Sequence, residues 1–342
     1  MVVHIKGKFG RWNPTLPAIP IINIDWPDTL LRANEGRLEI VVDGLVQPFI
    51  EFELRIQSNQ TSGNSLNFFL TNENEELKFC QYFHNNGEYK VINESARSVK
   101  IIIKNIEIDL DEFFNDHPPS IFLSDTSIIE GAYRHFCDEN YLYPYDKNKI
   151  EVWDWSGVDI SVESQGEERR KDSIQNYTIT KIWDDYDLIF DDDDAGEVAD
   201  IVAIKDSNEE IIIHLYHCKF CPKKDGVASP GARVKDAYEV TGQAIKSVRW
   251  IHSNEKLIER LLDREKHRLS KGKKSRINKG DMELLVLLRK KVRLLKTNYE
   301  ITIVQPAFSF ISFSESILSI LGAGETYIKE TTGVNLNIIS SS

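Results

Sequence analysis

Four side chains near the middle of the chain have the types and spacing needed to hydrolyse a phosphodiester bond. Asp200 lies early in an apolar run, and Lys219 ends the next such run, nineteen residues later. His217 and Lys219 fall on one face of that second run because side chains alternate along a strand. Glu197, three residues before Asp200, can reach the same place. Carboxylates bind a divalent cation, and a lysine beside them can orient or deprotonate an attacking water.

A three-strand meander must bring these side chains together. The sequence predicts strands over 186–190, 198–204 and 211–219, separated by the polar segments DDDDAG and KDSNEE. The early residues of the third run are continuously apolar, as in a strand covered on both faces. Adjacent antiparallel strands bring the acid of the second run and the lysine of the third to one edge of the sheet. The run of four aspartates at 191–194 is interpreted as a solvated hairpin turn, with attraction of cations as the alternative.

Helices and further strands flank this meander. A helix is predicted over 161–175, with Ser164 and Glu167 as its capping box, and another over about 233–251. Two basic helices follow, and then a strand over 299–304, a helix from about residue 314 and a short strand near 334–339. The order is helix, three strands, helix and strand.

This order, with an acid on the second strand and Lys219 two residues after position 217 on the third, resembles the core of the PD-(D/E)XK nuclease superfamily. The residues that carry the resemblance are GEVADIVAI, with Asp200, and LYHCKF, with Lys219, followed by PGARVKDAYEVTGQAIKSVRW. Within the superfamily they look most like nuclease modules associated with bacterial helicases of antiphage defence. The resemblance covers about residues 160–342.

The resemblance implies an α/β chain with a restriction-endonuclease-like αβββαβ core and metal-dependent hydrolysis of DNA, with Mg²⁺ or Mn²⁺ as the cofactor. It also implies a helicase or another defence-system subunit as a partner. In this superfamily the helix after the third strand contributes a polar residue to the site, and here Gln243 is the candidate. Arg233 and Lys235, near the start of that helix, are candidates to contact a phosphate.

His217 departs from the superfamily pattern, which has Glu or Asp two residues before the lysine. One interpretation makes His217 itself a ligand, which suits Mn²⁺ better than Mg²⁺ because imidazole is a softer donor than carboxylate. In another, which we favour, Glu197, or Glu163 on the first predicted helix, supplies the second carboxylate. In a third, the site is catalytically inactive, and the chain is a nucleic-acid-binding adaptor that recruits a helicase or other effector.

The charge of the chain is strongly polarised. The formal net charge is −12, yet residues 256–296 hold fifteen Lys and Arg against five Asp and Glu, a net charge of +10. The simplest interpretation is a pair of solvated amphipathic helices within a basic insertion over 254–297. Beside a nuclease core, the same segment is expected to track a DNA backbone. The residues expected to do so are Lys271, Lys273, Lys274 and Arg276.

Length and composition set the broad class. A chain of 342 residues predicts two domains, and 41% hydrophobic and 28% charged residues are ordinary for a globular protein. No run approaches eighteen consecutive apolar residues, and the first residues lack a signal-peptide pattern, so we expect no membrane association. Four cysteines fit a reducing cytoplasm. The predicted domains are a strand-rich one of unknown role over 1–145 and the nuclease-like one over 146–342. The oligomeric state is left open.

Overall fold

The computed structural model is a mixed α/β protein that divides into two compact units, Met1–Glu139 and Asn140–Ser342. The residues that it describes are 5–8, 21–27, 30, 38–56, 65–83, 88–123, 127–136, 143–194, 196–224, 227–228, 234–251 and 253–342. None of the helices among them is long and apolar enough to cross a membrane.

The N-terminal unit is built from antiparallel sheets, so the strand-rich prediction for this part of the chain is confirmed. Its described residues form sheets with the strand orders β1-β13-β12-β11-β2, β10-β9-β3-β4 and β5-β6-β7-β8. The elements are β1 (Ile5–Lys8), β2 (Ile21–Asp25), β3 (Glu39–Val42), β4 (Leu45–Pro48), β5 (Glu53–Ile56), β6 (Ser65–Thr71), β7 (Glu76–Phe83), β8 (Tyr89–Asn93), β9 (Val99–Ile103), β10 (Ile106–Asp109), α1 (Leu110–Asp116), β11 (Ser120–Leu123), β12 (Ile128–Glu130) and β13 (Tyr133–Phe136).

Alternating burial builds the core of this unit. In β6 the buried and half-buried side chains alternate, as expected of a strand with one face on the core. Phe68 of β6 stacks on Phe79 of β7 with ring centroids 5.6 Å apart, and Phe114 of α1 packs edge-on against both. Edge-to-face and offset pairs of this kind favour a single arrangement of the rings. These ring contacts pack α1 against the apolar core of the unit.

The C-terminal unit contains a seven-stranded sheet with the strand order β14-β22-β21-β17-β16-β15-β20. Its elements are β14 (Glu151–Val152), α2 (Ile174–Ile182), β15 (Leu188–Asp191), β16 (Ile201–Asp206), β17 (Glu210–Cys218), β18 (Lys223–Lys224), β19 (Val227–Ala228), α3 (Val234–Lys246), α4 (Asn254–Ser270), β20 (Ile277–Lys279), α5 (Met282–Lys291), β21 (Lys296–Ser309), α6 (Glu315–Thr332) and β22 (Leu336–Ser341). Short 3₁₀ helices cover Lys147–Lys149, Ser247–Trp250 and Phe310–Ser312.

The predicted meander is confirmed. Strands β15, β16 and β17 pair antiparallel in chain order, with Ile201 opposite Tyr216. Strand β17 then pairs in parallel with β21, which pairs in parallel with β22. A central strand that is covered on both faces needs apolar side chains on both faces, which explains the continuous apolar run of β17. The predicted later helices and strands are also present.

The helix predicted over 161–175 is wrong, because α2 begins only after Ser173. The Ser173 side chain caps that helix by accepting a hydrogen bond from the amide of Asn176 at 3.2 Å. Gly166 and Arg169 adopt positive φ values of 60° and 50°, which an α-helix does not allow. Residues 161–172 are therefore turns, and the Ser164 to Glu167 capping box does not form a helix start.

Helix α6 packs unusually close to the backbone at the start of the C-terminal unit. A Cβ on Gly322 would lie 1.9 Å from the carbonyl oxygen of Tyr143, so only glycine fits there. The amide of Tyr145 donates to the carbonyl of Leu318 at 2.8 Å beside this contact. Gly322 thus lets residues 143–145 dock on the helix that covers the parallel part of the sheet.

Candidate functional site

Asp200 is the most buried acid among the candidate residues, with only 1% of its surface exposed. It lies directly before β16. Its Oδ2 accepts a hydrogen bond from the amide of Cys218 at 2.9 Å, and its Oδ1 accepts one from Gln175 Nε2 at 3.3 Å. Burial, and then the negative charge of Glu163, raise the pKa of the Asp200 carboxyl well above its ordinary value. A cation beside this carboxylate would offset both effects.

Two further acids converge on Asp200 from the loop between β15 and β16. One carboxylate oxygen each of Asp193, Glu197 and Asp200 lie within 4.8 Å of one another. Both loop acids are half-buried. Oxygen donors of this kind are the ligands that Mg²⁺ and Mn²⁺ prefer. The predicted pair of Asp200 and Glu197 is therefore brought together, with Asp193 as an additional member.

His217 faces Asp200 from β17. It is 2% exposed, and its Nε2 lies at hydrogen-bond distance, 2.6 Å, from Ser247 Oγ. Its other ring nitrogen, Nδ1, has no hydrogen-bond partner among the described residues and lies 4.0 Å from Asp200 Oδ2. That separation is too long for a hydrogen bond, and it is about twice the ~2.1 Å distance between a small divalent cation and its ligand.

The environment of His217 keeps its imidazole neutral. Burial, helped by the nearby charge of Lys246, lowers the pKa of His217 to about 3. When Nε2 donates its proton to Ser247, the lone pair of Nδ1 is free and directed toward Asp200. A neutral imidazole whose second nitrogen is fixed by a hydrogen bond is the usual form of a histidine ligand.

Lys219 continues from the end of β17 and is 9% exposed. Its Nζ donates a hydrogen bond to Glu239 Oε1 at 2.6 Å and lies 3.6 Å from Glu163 Oε2. Burial alone lowers the pKa of this ammonium group, but the charges of Glu163 and Glu239 outweigh it, so the pKa of Lys219 is raised. The lysine is therefore held in its charged form between two carboxylates.

Glu163 reaches the site from the irregular segment before α2. Its Oε2 accepts a hydrogen bond from the amide of Phe220 at 2.9 Å. Burial raises the pKa of the Glu163 carboxyl in spite of the nearby Lys219 charge. The attraction between Glu163 and Lys219 thus raises the pKa of the lysine, whereas burial keeps the pKa of Glu163 high. Lys219 stays positive because Glu239, which is more exposed, pairs with it at the shorter distance.

The sequence also predicts three site residues on or just before α3. Gln243 lies on α3, and its side-chain oxygen is buried with no hydrogen-bond partner in the described part of the chain. Arg233 lies outside the described residues. The backbone of Lys235 lies in α3. The roles of Gln243, Arg233 and Lys235 stay predictions.

Arg276 does not fit the role predicted for it. It is 7% exposed, and its guanidinium group donates to the carbonyl oxygens of Asp191 and Asp193 and to the carboxylate of Asp194. A side chain used in this way cannot track a DNA backbone from the surface. Lys271 and Lys274 are exposed and Lys273 is half-buried, so a phosphate-binding role for these three stays a prediction.

The sequence interpretation missed two acids of the cluster. Asp193 was assigned to a solvated turn or to a run that attracts cations, and not to the ligand set, although the run 191–194 and Glu197 place five acids within seven positions next to the predicted site. Glu239 lies four residues before Gln243 on the same helix, a spacing that puts both on one face. The density of acids and this spacing were the available signals.

Comparison with known proteins gives no match: no protein-family model, no curated protein and no solved structure matches this chain. The function is therefore inferred from the residues of the site.

Proposed function

We propose that the chain is a metal-dependent nuclease of PD-(D/E)XK type that hydrolyses phosphodiester bonds of DNA. The observation that carries this proposal is the buried pair of Asp200 and the unpartnered Nδ1 of His217, with the charged Lys219 directly after the strand that carries His217. With the short β18–β19 hairpin and the segment from α4 to α5 taken as insertions, the elements α2, β15, β16, β17, α3 and β21 have the order αβββαβ, which supports a restriction-endonuclease-like core.

The residues of the site fit a divalent cation. The fit rests on a donor set of carboxylate oxygens together with the buried Nδ1 of His217, which has no hydrogen-bond partner in the described chain. Asp200, His217, Asp193 and Glu197 would hold the ion, and the imidazole favours Mn²⁺ over Mg²⁺. When bound, the cation neutralises negative charge that develops on the phosphate.

The remaining residues act on the attacking water. Lys219 remains charged, so it orients the water and stabilises negative charge, and it is not the base. Glu163 lies 3.6 Å from the lysine Nζ, and its raised pKa makes its carboxylate a suitable proton acceptor. Glu239 holds the ammonium group in place through its 2.6 Å hydrogen bond. Burial of Asp200 and His217 excludes bulk water from the ligand side of the site.

The substrate and setting follow from the resemblance to helicase-associated nuclease modules. DNA is the proposed substrate, antiphage defence the proposed setting, and a helicase or other defence subunit the proposed partner. The exposed Lys271 and Lys274 offer phosphate contacts that need no base sequence. The proposed compartment is the cytoplasm.

The alternative is an inactive nucleic-acid-binding adaptor, and the observation that favours it is His217 in the place of an acid. A cleavage assay on linear, circular and single-stranded DNA with Mn²⁺, Mg²⁺ or EDTA separates the two functions. We expect Mn²⁺-dependent cleavage that falls by about 10²-fold or more in Asp200→Asn and Lys219→Met.

Lys205→Met is the matched control, because Lys205 is an exposed lysine on β16. It should cleave like the wild type. If wild type cuts none of these substrates with either cation but still binds DNA, the adaptor is correct and the nuclease proposal fails.

A further inference from the structure

Three arginines of the basic segment lie against the acidic loop, which we define as residues 191–197. They are Arg260 and Arg264 of α4 and Arg276, which directly precedes β20. All three are buried, with at most 7% of their surface exposed. The acidic loop links β15 to β16 and carries Asp193 and Glu197 of the candidate cation site. The most basic part of the chain thus contacts its most acidic part.

Arg276 makes the most contacts with the backbone of the loop. Its Nη1 donates to the carbonyl oxygen of Asp193 at 2.7 Å and to that of Asp191 at 3.2 Å. Its Nη2 donates to the Asp194 carboxylate at 2.6 Å. The main chain of Arg276 is itself fixed, because its amide donates to Glu265 Oε2 and its carbonyl accepts from the amide of Asp191. One guanidinium group therefore holds three residues of the loop, Asp191, Asp193 and Asp194.

The other two arginines hold the rest of the loop. Arg264 Nη2 donates to the carbonyl oxygen of Asp192 at 3.0 Å, and its Nε donates to the carboxylate of the same residue. Arg260 Nε donates to the carbonyl oxygen of Gly196 at 3.1 Å. Together with Arg276, they fix the carbonyl oxygens of four loop residues.

The loop needs such positive charge to keep its shape. It contains five carboxylates in seven residues, and like charges this close repel one another strongly when partly buried. Asp193 and Glu197 each place a carboxylate oxygen within 4.8 Å of one of Asp200, while arginines hold the carbonyl oxygens of Asp193 and Gly196. The guanidinium groups balance the negative charge and also fix the backbone, and a solvated lysine would do only the first of these.

We propose that Arg276, assisted by Arg260 and Arg264, is a positioning residue of the cation site. By holding the loop carbonyls, it keeps Asp193 and Glu197 directed toward Asp200. This inference rests on the cation site of the proposed nuclease. It assigns the basic segment a role inside the protein in addition to any contact with nucleic acid.

The test compares Mn²⁺ binding by the full chain with that of Arg276→Gln and Arg276→Lys. Free Mn²⁺ is measured by electron paramagnetic resonance during titration, with Arg289→Gln as the control. Arg289 lies on α5, is much more exposed, and pairs with Glu259 at 3.6 Å, away from the loop. We expect the Mn²⁺ dissociation constant to rise about tenfold or more in Arg276→Gln and to stay at the wild-type value in the control.

Arg276→Lys keeps the buried charge but lacks the forked donors, so its Mn²⁺ affinity should also be weakened. This variant keeps the test valid if Arg276→Gln does not fold, which circular dichroism will show. DNA binding in EDTA is measured in parallel and should be equal in wild type and the Arg276 variants.

Two results would overturn the inference while the cation site stands. One is wild-type Mn²⁺ affinity in both Arg276 variants. The other is unchanged Mn²⁺ affinity with weakened DNA binding, which would make Arg276 a phosphate contact. If the wild type itself binds no Mn²⁺, the cation site fails first, and the inference fails with it.

Discussion

The ion pair between Asp192 and Arg264 predicts a large and specific effect on stability. The two side chains are 0% and 6% exposed, and Asp192 Oδ2 also accepts a hydrogen bond from the amide of Val198 at 2.7 Å. Burial raises the pKa of the Asp192 carboxyl. Burial alone would lower the pKa of Arg264, but Asp192, Asp194 and Glu197 together outweigh it and raise that pKa. We take the pair as ionised, since arginine does not lose its proton and a neutral Asp192 would leave it unpaired.

Asp192→Asn removes the negative charge and leaves the Arg264 charge buried. Breaking one side of a buried pair costs about 3–5 kcal/mol, and the asparagine oxygen can still accept from Val198, so we expect the lower figure, about 3 kcal/mol. For a unit of this size each kcal/mol lowers the melting temperature by about 2–4 °C, which gives about 6–12 °C. The double variant Asp192→Asn/Arg264→Gln should recover part of this loss, because it removes both charges of the buried pair.

Urea denaturation and a thermal melt of the full chain measure these changes. The matched control is Glu255→Gln, the same carboxylate-to-amide change in a pair with Arg293 whose side chains are 36% and 55% exposed. That variant should lose less than about 1 kcal/mol, because water screens exposed pairs. A loss below about 1 kcal/mol in Asp192→Asn, or a double variant whose loss equals the sum of the single losses, would refute the reasoning.

Three further predictions concern stability and its pH dependence. Gly322→Ala should cost about 1–3 kcal/mol in a urea titration, because its Cβ meets the Tyr143 backbone. Gly324→Ala on the same helix should cost less, because its Cβ meets the side chain of Thr241, which can move more easily than a backbone. Ser173→Ala should lower stability by about 1 kcal/mol in the same urea titration through loss of the α2 cap. Burial lowers the pKa of His214 to about 3, and Glu300, 3.4 Å away, is too exposed to reverse this. Below pH 6.5 the unfolded chain therefore binds a proton that the folded chain does not, so stability should fall as pH falls. Urea denaturation at pH 7 and pH 5 measures how much unfolding free energy each protein loses on acidification. His214→Gln should lose about 2 kcal/mol less than the wild type, and an equal loss in both proteins would contradict the low pKa of His214.

The sequence predicted the elements whose patterns are local. The continuous apolar run of β17, and the acid and lysine at the ends of β16 and β17, were placed within a residue or two because strand alternation and length alone determine them. The antiparallel pairing followed from the short turn between the two strands. Asp200, His217 and Lys219 were thereby correctly placed at neighbouring positions of one sheet.

The failures have physical reasons. The segment 161–172 has the charged residues and the capping-box pattern of a helix, but Val162 is its one large apolar residue, so it has no apolar face to bury. Gly166 inside it adopts a positive φ, which glycine allows at little cost. The arginines of α4 looked solvated because their partners, such as Asp192, lie about seventy residues earlier in the chain. Glu239 was missed because its contact with Lys219 depends on how α3 docks on the sheet.

Electron spin echo measurements on bound Mn²⁺ test the central claim most directly, namely that a cation is held jointly by Asp200 and His217. We expect the wild type to show coupling between Mn²⁺ and one imidazole nitrogen. His217→Gln should lose that coupling and Asp200→Asn should lose most of the bound ion. Mn²⁺ bound without nitrogen coupling, or binding unchanged in Asp200→Asn, would contradict the claim.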